Sequence, residues 1–176
     1  LPAPYNGAFM EQKFELLDNA IRWSIDYFAE GCDLPNSIGY HPWFARQLKQ
    51  DGEEIGEEAV IDFQAQEMFE ADSAIIPTGK IIKPINPPWD NCFQKIIGVP
   101  NITWPGVARV DIESDSPYWV VYTQDPDGVC VEPQTAPPDA PNLEKYFATH
   151  SGNLGEKCQI TYDEYIEVLF TFSHDF

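Results

Sequence analysis

Basic side chains are scarce in this chain: ten lysines and arginines stand against 29 aspartates and glutamates, for a formal net charge of −19 over 176 residues. Such a field repels a phosphate backbone, so nucleic acid is disfavoured as a partner, and adsorption to anionic lipid is disfavoured for the same reason. Long apolar runs are lacking too. None approaches the roughly 18 residues of a spanning helix, which argues against a membrane partner. The opening Leu1-Pro2-Ala3-Pro4-Tyr5 has neither the basic start nor the apolar stretch of a secretory signal. It also lacks an initiator methionine, from which we expect the chain to begin inside a longer protein. Cysteines are few, and Cys32, Cys92, Cys130 and Cys158 show neither the paired spacing of a zinc site nor the density of a disulfide scaffold. They read as reduced structural thiols in a cytoplasmic setting, with a disulfide left open. Of the three histidines, His150 and His174 form no ligand spacing with His41, and Asp125-Pro126-Asp127-Gly128 is a turn without the repeated oxygens of a calcium loop. Neither a Gly-rich phosphate loop nor a Gly-x-Ser-x-Gly elbow is present. Neither a metal nor another cofactor is expected.

What the chain does have is strand-forming residues punctuated by sixteen prolines and eleven glycines. Ile21, Trp23, Ile25 and Tyr27 alternate with Arg22, Ser24 and Asp26, the period of a sheet with one dry face. Phe9 to Leu17 and Ile21 to Phe28, joined at Asp18-Asn19, predict a hairpin. Further strands are expected at Ser37 to Phe44, Ala59 to Phe63, Gly79 to Ile85, Val107 to Glu113, Tyr118 to Thr123, Val129 to Glu132, Lys157 to Tyr162 and Tyr165 to Phe172. The acidic, Gly-punctuated stretch Gln50 to Glu58 fits a solvent-facing hairpin tip. Helical signals are poor, the best being short turns at Gln66 to Phe69 and Asn142 to Phe147. With 43% hydrophobic residues, residues 1–176 are expected to form a single all-β domain, a large antiparallel β-sandwich with long loops and a concave face able to hold a ligand.

Two distant segments carry the chemistry. In Ile38-Gly39-Tyr40-His41-Pro42-Trp43-Phe44, Pro42 restricts His41 to extended backbone and Gly39 permits close approach of another segment. The imidazole is either a proton carrier or a hydrogen-bonded core histidine. Trp43 and its aromatic neighbours could form an apolar wall for a sugar ring, or simply core. Glu132, at the end of the apolar Val129-Cys130-Val131, is a carboxylate whose proton affinity burial would raise, making it a general base near neutral pH; the alternative is a strand-end glutamate reaching water or an arginine. Gln134 follows it. Asp90, stiffened by Pro87-Pro88 and followed by Asn91, could hold ligand hydroxyls with Trp89 against the ring face, or could close a turn through its own backbone. Trp104, before Pro105-Gly106, reads as a packing residue. Asp111, Glu113 and Asp115 alternate on one strand face and are expected to meet water.

Taken together, Asn36 to Phe44, Ile76-Pro77-Thr78-Gly79, Pro87-Pro88-Trp89-Asp90, Thr103-Trp104-Pro105-Gly106 and Cys130 to Asn142 resemble, in order and spacing, the aldose 1-epimerase (galactose mutarotase) family. The likeness covers nearly the whole chain but only the later, larger part of a family member. It implies the family's large antiparallel β-sandwich, here lacking its N-terminal strands, and a monosaccharide substrate, a free aldose in pyranose form. By this resemblance His41 matches the histidine that protonates the ring oxygen, Glu132 the glutamate that deprotonates the anomeric hydroxyl, and Asp90 the acid that holds sugar hydroxyls. Trp43 and Gln134 fall within the motifs as pocket residues. The family also uses an early histidine and arginine that would precede Leu1, so a missing N-terminal segment or a second chain is expected to complete the sheet. The alternatives are a carbohydrate-binding module without turnover and a hexose-6-phosphate 1-epimerase, the latter needing a basic phosphate clamp.

Overall fold

The alternation that begins at Ile21 becomes a long strand, β2 (Ala20–Ala29), which pairs antiparallel with β1 (Ala8–Leu16) across the Asp18-Asn19 turn. These strands belong to a computed structural model that describes residues 8–29, 37–143 and 162–174. The remaining strands are β3 (Trp43–Ala45), β4 (Leu48–Gln50), β5 (Glu53–Ile55), β6 (Val60–Asp62), β7 (Ala65–Ala71), β8 (Pro77–Ile82), β9 (Asp90–Ile96), β10 (Asn101–Trp104), β11 (Ala108–Glu113), β12 (Tyr118–Tyr122), β13 (Gly128–Gln134) and β14 (Tyr162–His174). They form two six-stranded antiparallel sheets, ordered β1-β2-β14-β11-β10-β6 and β3-β13-β12-β9-β7-β8, with β4 and β5 as a separate hairpin at the acidic stretch.

The sheets bury one face of each against the other. Ile25, Ile102, Val110, Ile112 and Val168 of the first meet Phe93, Trp119, Val121, Val129 and Val131 of the second. Each such side chain contributes on the order of 1.5–3 kcal/mol when fully removed from water. Trp104 is a packing residue, its indole N–H donating to the Ala45 carbonyl at 2.9 Å. In β13 the odd positions Val129 and Val131 join this core, so period two sends Cys130, Glu132 and Gln134 to the outer face of the second sheet. Part of that face is roofed by the chain after β13, where Ala136, Ala140 and Leu143 pack on Phe69, Cys92 and Val120.

The structure corrects several sequence readings. Gln66 to Phe69 lies inside strand β7, between β9 and β8, and is not a helical turn. Met68 and Phe69 are consecutive and both buried, one in each hydrophobic cluster, so a face on either side erases the alternation that would have marked a strand. The predicted strand Ser37 to Phe44 is reduced to a bridge at Gly39 and the short β3. A 3-10 turn, Ala140–Asn142, ends where the other helical candidate, Asn142 to Phe147, begins, and residues 144–147 of that candidate lie outside the described residues. Strands β9 and β10 were absent from the sequence reading. Cys32, Cys158, His150 and most of Lys157 to Tyr162 lie outside the described residues. Cys92 and Cys130 are free thiols, and no described helix is long and apolar enough to cross a membrane.

Candidate active site

One short ladder fixes the site. Segment 38–40 runs alongside the end of β13: Tyr40 N–H donates to the Pro133 carbonyl at 3.1 Å, Thr135 N–H to the Ile38 carbonyl at 2.8 Å, and Ile38 N–H to Thr135 Oγ1 at 2.9 Å. Gly39 bridges Gln134, and a Cβ on Gly39 would stand 2.9 Å from Gln134 Cγ, so only glycine lets the two segments approach this closely. Tyr40 anchors the segment from beneath, its ring fully buried and its hydroxyl donating to the Trp23 carbonyl at 2.8 Å. The next residue, His41, therefore leans over β13.

There His41 Nε2 lies 3.3 Å from Glu132 Oε1. The two groups differ sharply in exposure: the imidazole is 61% exposed and the carboxylate 5%. Gln134 Nε2 donates to the other carboxylate oxygen, Oε2, at 3.4 Å. The indole of Trp43 stacks beside His41, with centroids 5.7 Å apart and planes 20° from parallel, and is itself 53% exposed. Behind Trp43 is Gly128, where any Cβ would come within 2.7 Å of the indole.

Register extends the site across four strands. Trp43 of β3 pairs with Cys130 of β13, Cys130 with Tyr122 of β12, and Tyr122 with Asp90 of β9. One row of the outer face thus holds indole, thiol, phenol and carboxylate, with Glu132 one step along β13. Tyr122 meets Trp43 edge-on at 5.8 Å. Trp89 takes no part in this row. Its ring packs on Phe63 and Phe93 of the core at 6.0 and 5.6 Å, which corrects the expectation that it faces a ligand beside Asp90.

Burial pushes the Glu132 carboxyl up to about 7, the Asp90 charge adds to the rise, and the hydrogen bond from Gln134 opposes it. Burial also pushes the Cys130 thiol up to about 12, with the Glu132 charge acting in the same direction. A group near 7 can gain or lose a proton in neutral water, whereas a thiol near 12 stays protonated. The structure brings His41, Glu132, Gln134 and Trp43 into contact and sets Asp90 on the same face. Sequence reasoning missed Tyr122 and Cys130, although the alternation Tyr118-Val120-Tyr122 and Cys130-Glu132-Gln134 carried the signal.

No family model matches the chain, and no curated protein matches it by sequence. Solved structures do match. A galactose mutarotase-like protein from Clostridium acetobutylicum superposes with a TM-score of 0.67 at 18% identity, over 93% of this chain and 55% of its own. The GalM/aldose epimerase homologue from C. elegans gives 0.63 at 17% identity, over 96% and 60%. A galactose mutarotase related enzyme from Lactobacillus acidophilus gives 0.55 at 14% identity, over 93% and 67%. The fold is therefore the antiparallel β-sandwich of galactose mutarotase-like proteins, and the chain spans about half to two thirds of the length of these neighbours.

Proposed function

We propose that this chain carries the acid/base centre of an aldose 1-epimerase, interconverting the α and β anomers of a free aldohexose. The observation that carries this reading is the 3.3 Å approach of an exposed imidazole to a buried carboxylate. Ring opening of a pyranose needs one proton removed from the C1 hydroxyl and one delivered to the ring oxygen, two oxygens bonded to the same carbon. An acid and a base must then stand side by side, within hydrogen-bond reach of adjacent atoms. Glu132 takes the hydroxyl proton while protonated His41 gives its own to the ring oxygen, and the hemiacetal opens to an aldehyde. Rotation about C1–C2 exposes the other carbonyl face. On reclosure His41 recovers the proton from the chain hydroxyl and Glu132 returns its proton to the carbonyl oxygen, so both groups finish as they began.

The neighbours support the same reading. Glu132 near 7 is a base strong enough to accept a hydroxyl proton and weak enough to return it. Gln134 fixes the carboxylate by one oxygen and leaves Oε1 toward His41. Trp43 offers an exposed ring for the carbon-bound hydrogens of a sugar, and Asp90 an acceptor for its hydroxyls. The test is polarimetry on freshly dissolved α-galactose and α-glucose. Equilibration should accelerate in proportion to protein concentration, and a rate no faster than buffer would remove the proposal.

A second reading, sugar binding without turnover, draws on Trp43, whose ring is 53% exposed and offers a stacking surface whether or not protons move. It is favoured if sugar quenches tryptophan fluorescence through Trp43 while mutarotation stays at the buffer rate.

A further inference from the structure

We propose that His41, Cys130 and Glu132 form a three-ligand site for a thiophilic divalent cation of the zinc type, and that filling it withdraws both proton-transfer groups from use. The cation site rests on geometry alone, while its effect on mutarotation rests on the reading above.

One imidazole nitrogen, one thiol sulfur and one carboxylate oxygen lie within 4.8 Å of one another. Tetrahedral coordination at ordinary zinc distances sets nitrogen and oxygen about 3.4 Å apart and sulfur about 3.6 Å from each. His41 Nε2 and Glu132 Oε1 already stand at 3.3 Å. Closing the set therefore takes at most about 1.2 Å of further approach to the sulfur, from the imidazole and from the Glu132 carboxylate. Cys130 and Glu132 alternate on one strand, so β13 supplies two ligands on one face, and the segment bridged to Gln134 supplies the third.

The donor set selects the metal. Thiolate with imidazole favours zinc and cobalt over magnesium and calcium, which prefer oxygen. The Gln134 amide holds Oε2, so Oε1 is the oxygen left to coordinate, an outer contact of the kind that orients metal ligands. His41 borders solvent, and three protein ligands leave the fourth direction open to it. On binding, the thiol proton passes to solvent and the sulfur lone pair goes to the cation. Histidine spacing alone gave no hint of this cluster, because two of its ligands come from one strand and the third from a distant segment.

Cobalt(II) titration of the full chain in a thiol-free reducing buffer tests the site. A one-to-one rise of thiolate-to-cobalt charge-transfer absorption, with the visible bands of four-coordinate cobalt and displacement by zinc, is the expected result. Cys130→Ser should abolish the charge-transfer band, His41→Ala should lose the four-coordinate spectrum, and Cys92→Ser should retain both. Since Cys130 is buried and its variant could fail to fold, His41→Ala, changed at an exposed side chain, decides in that case. Absence of the band in the unaltered chain, its persistence in folded Cys130→Ser, or an unchanged four-coordinate spectrum in His41→Ala overturns the site and assigns cobalt to other ligands. A band without mutarotation in metal-free protein upholds the site and removes the epimerase reading. Mutarotation that continues undiminished with zinc bound overturns the competition between cation and proton transfer.

Discussion

Replacing Glu132 by glutamine separates stability from proton transfer. The carboxyl titrates near its ordinary 4.5 in the unfolded chain and near 7 in the folded one. Between these values the folded chain keeps a proton that the unfolded chain has already released. The group therefore leaves folding unhindered below about pH 4.5, opposes it increasingly as pH rises toward 7, and opposes it by a constant amount above that. A shift of this size corresponds to about 3 kcal/mol in full, and to about 2–3 kcal/mol between about pH 5 and pH 8. Glutamine matches the protonated side chain in shape and does not titrate. Glu132→Gln should therefore gain about 2–3 kcal/mol on the parent chain as pH is raised over that interval, or about 4–12 °C in Tm at the usual 2–4 °C per kcal/mol. Urea unfolding followed by tryptophan fluorescence at both pH values measures the difference, and the acidic background shared by the two proteins cancels. The same variant should lose accelerated mutarotation, since no base remains at Oε1. A variant whose stability tracks the parent at both pH values would refute the argument, because it would mean that Glu132 is not desolvated.

Three further outcomes follow from the same geometry. His41→Ala should reduce the mutarotation rate by about 10²–10⁴-fold with little change in unfolding free energy, since the imidazole is largely exposed; a large stability loss in urea titration would count against that assignment. Asp90→Asn removes a charge that raises the Glu132 value, so the acid limb of the rate profile should move to lower pH, while KM rises if Asp90 holds hydroxyls. Gly39→Ala forces a methyl group to within 2.9 Å of Gln134 Cγ. Displacing Gln134 should weaken the hydrogen bond that opposes the rise of Glu132, moving the acid limb to higher pH in the same polarimetric profile.

The sandwich was legible wherever one sheet face is dry and the other wet, as in β2. It was lost where both faces are covered. Met68-Phe69 and Cys92-Phe93 are consecutive buried pairs, and Gln66-Glu67-Met68-Phe69 is composed of residues tolerant of helix, so pairing with neighbouring strands outweighed local preference. His41 and Glu132 stood out chemically, one a rare imidazole and the other a carboxylate in an apolar strand. Their separation across space was not legible, because it depends on the 38–40 and 133–135 ladder. The Trp43, Cys130, Tyr122 and Asp90 row requires strand order and register, neither of which local sequence specifies. Trp89 was misassigned for the same reason: it stands immediately before β9 and packs with Phe93 on the core side, opposite the face that carries Asp90.

Strand parity in β13 also governs how this protein can change length. Adding or deleting one residue between Gly128 and Glu132 would rotate the glutamate into the hydrocarbon interior and bring a valine out, inverting wet and dry along the strand end. A change of two preserves the faces but slides the carboxylate about 6–7 Å along the strand, away from the imidazole. Tolerated insertions are therefore confined to the loops, and this strand admits substitution but not resizing.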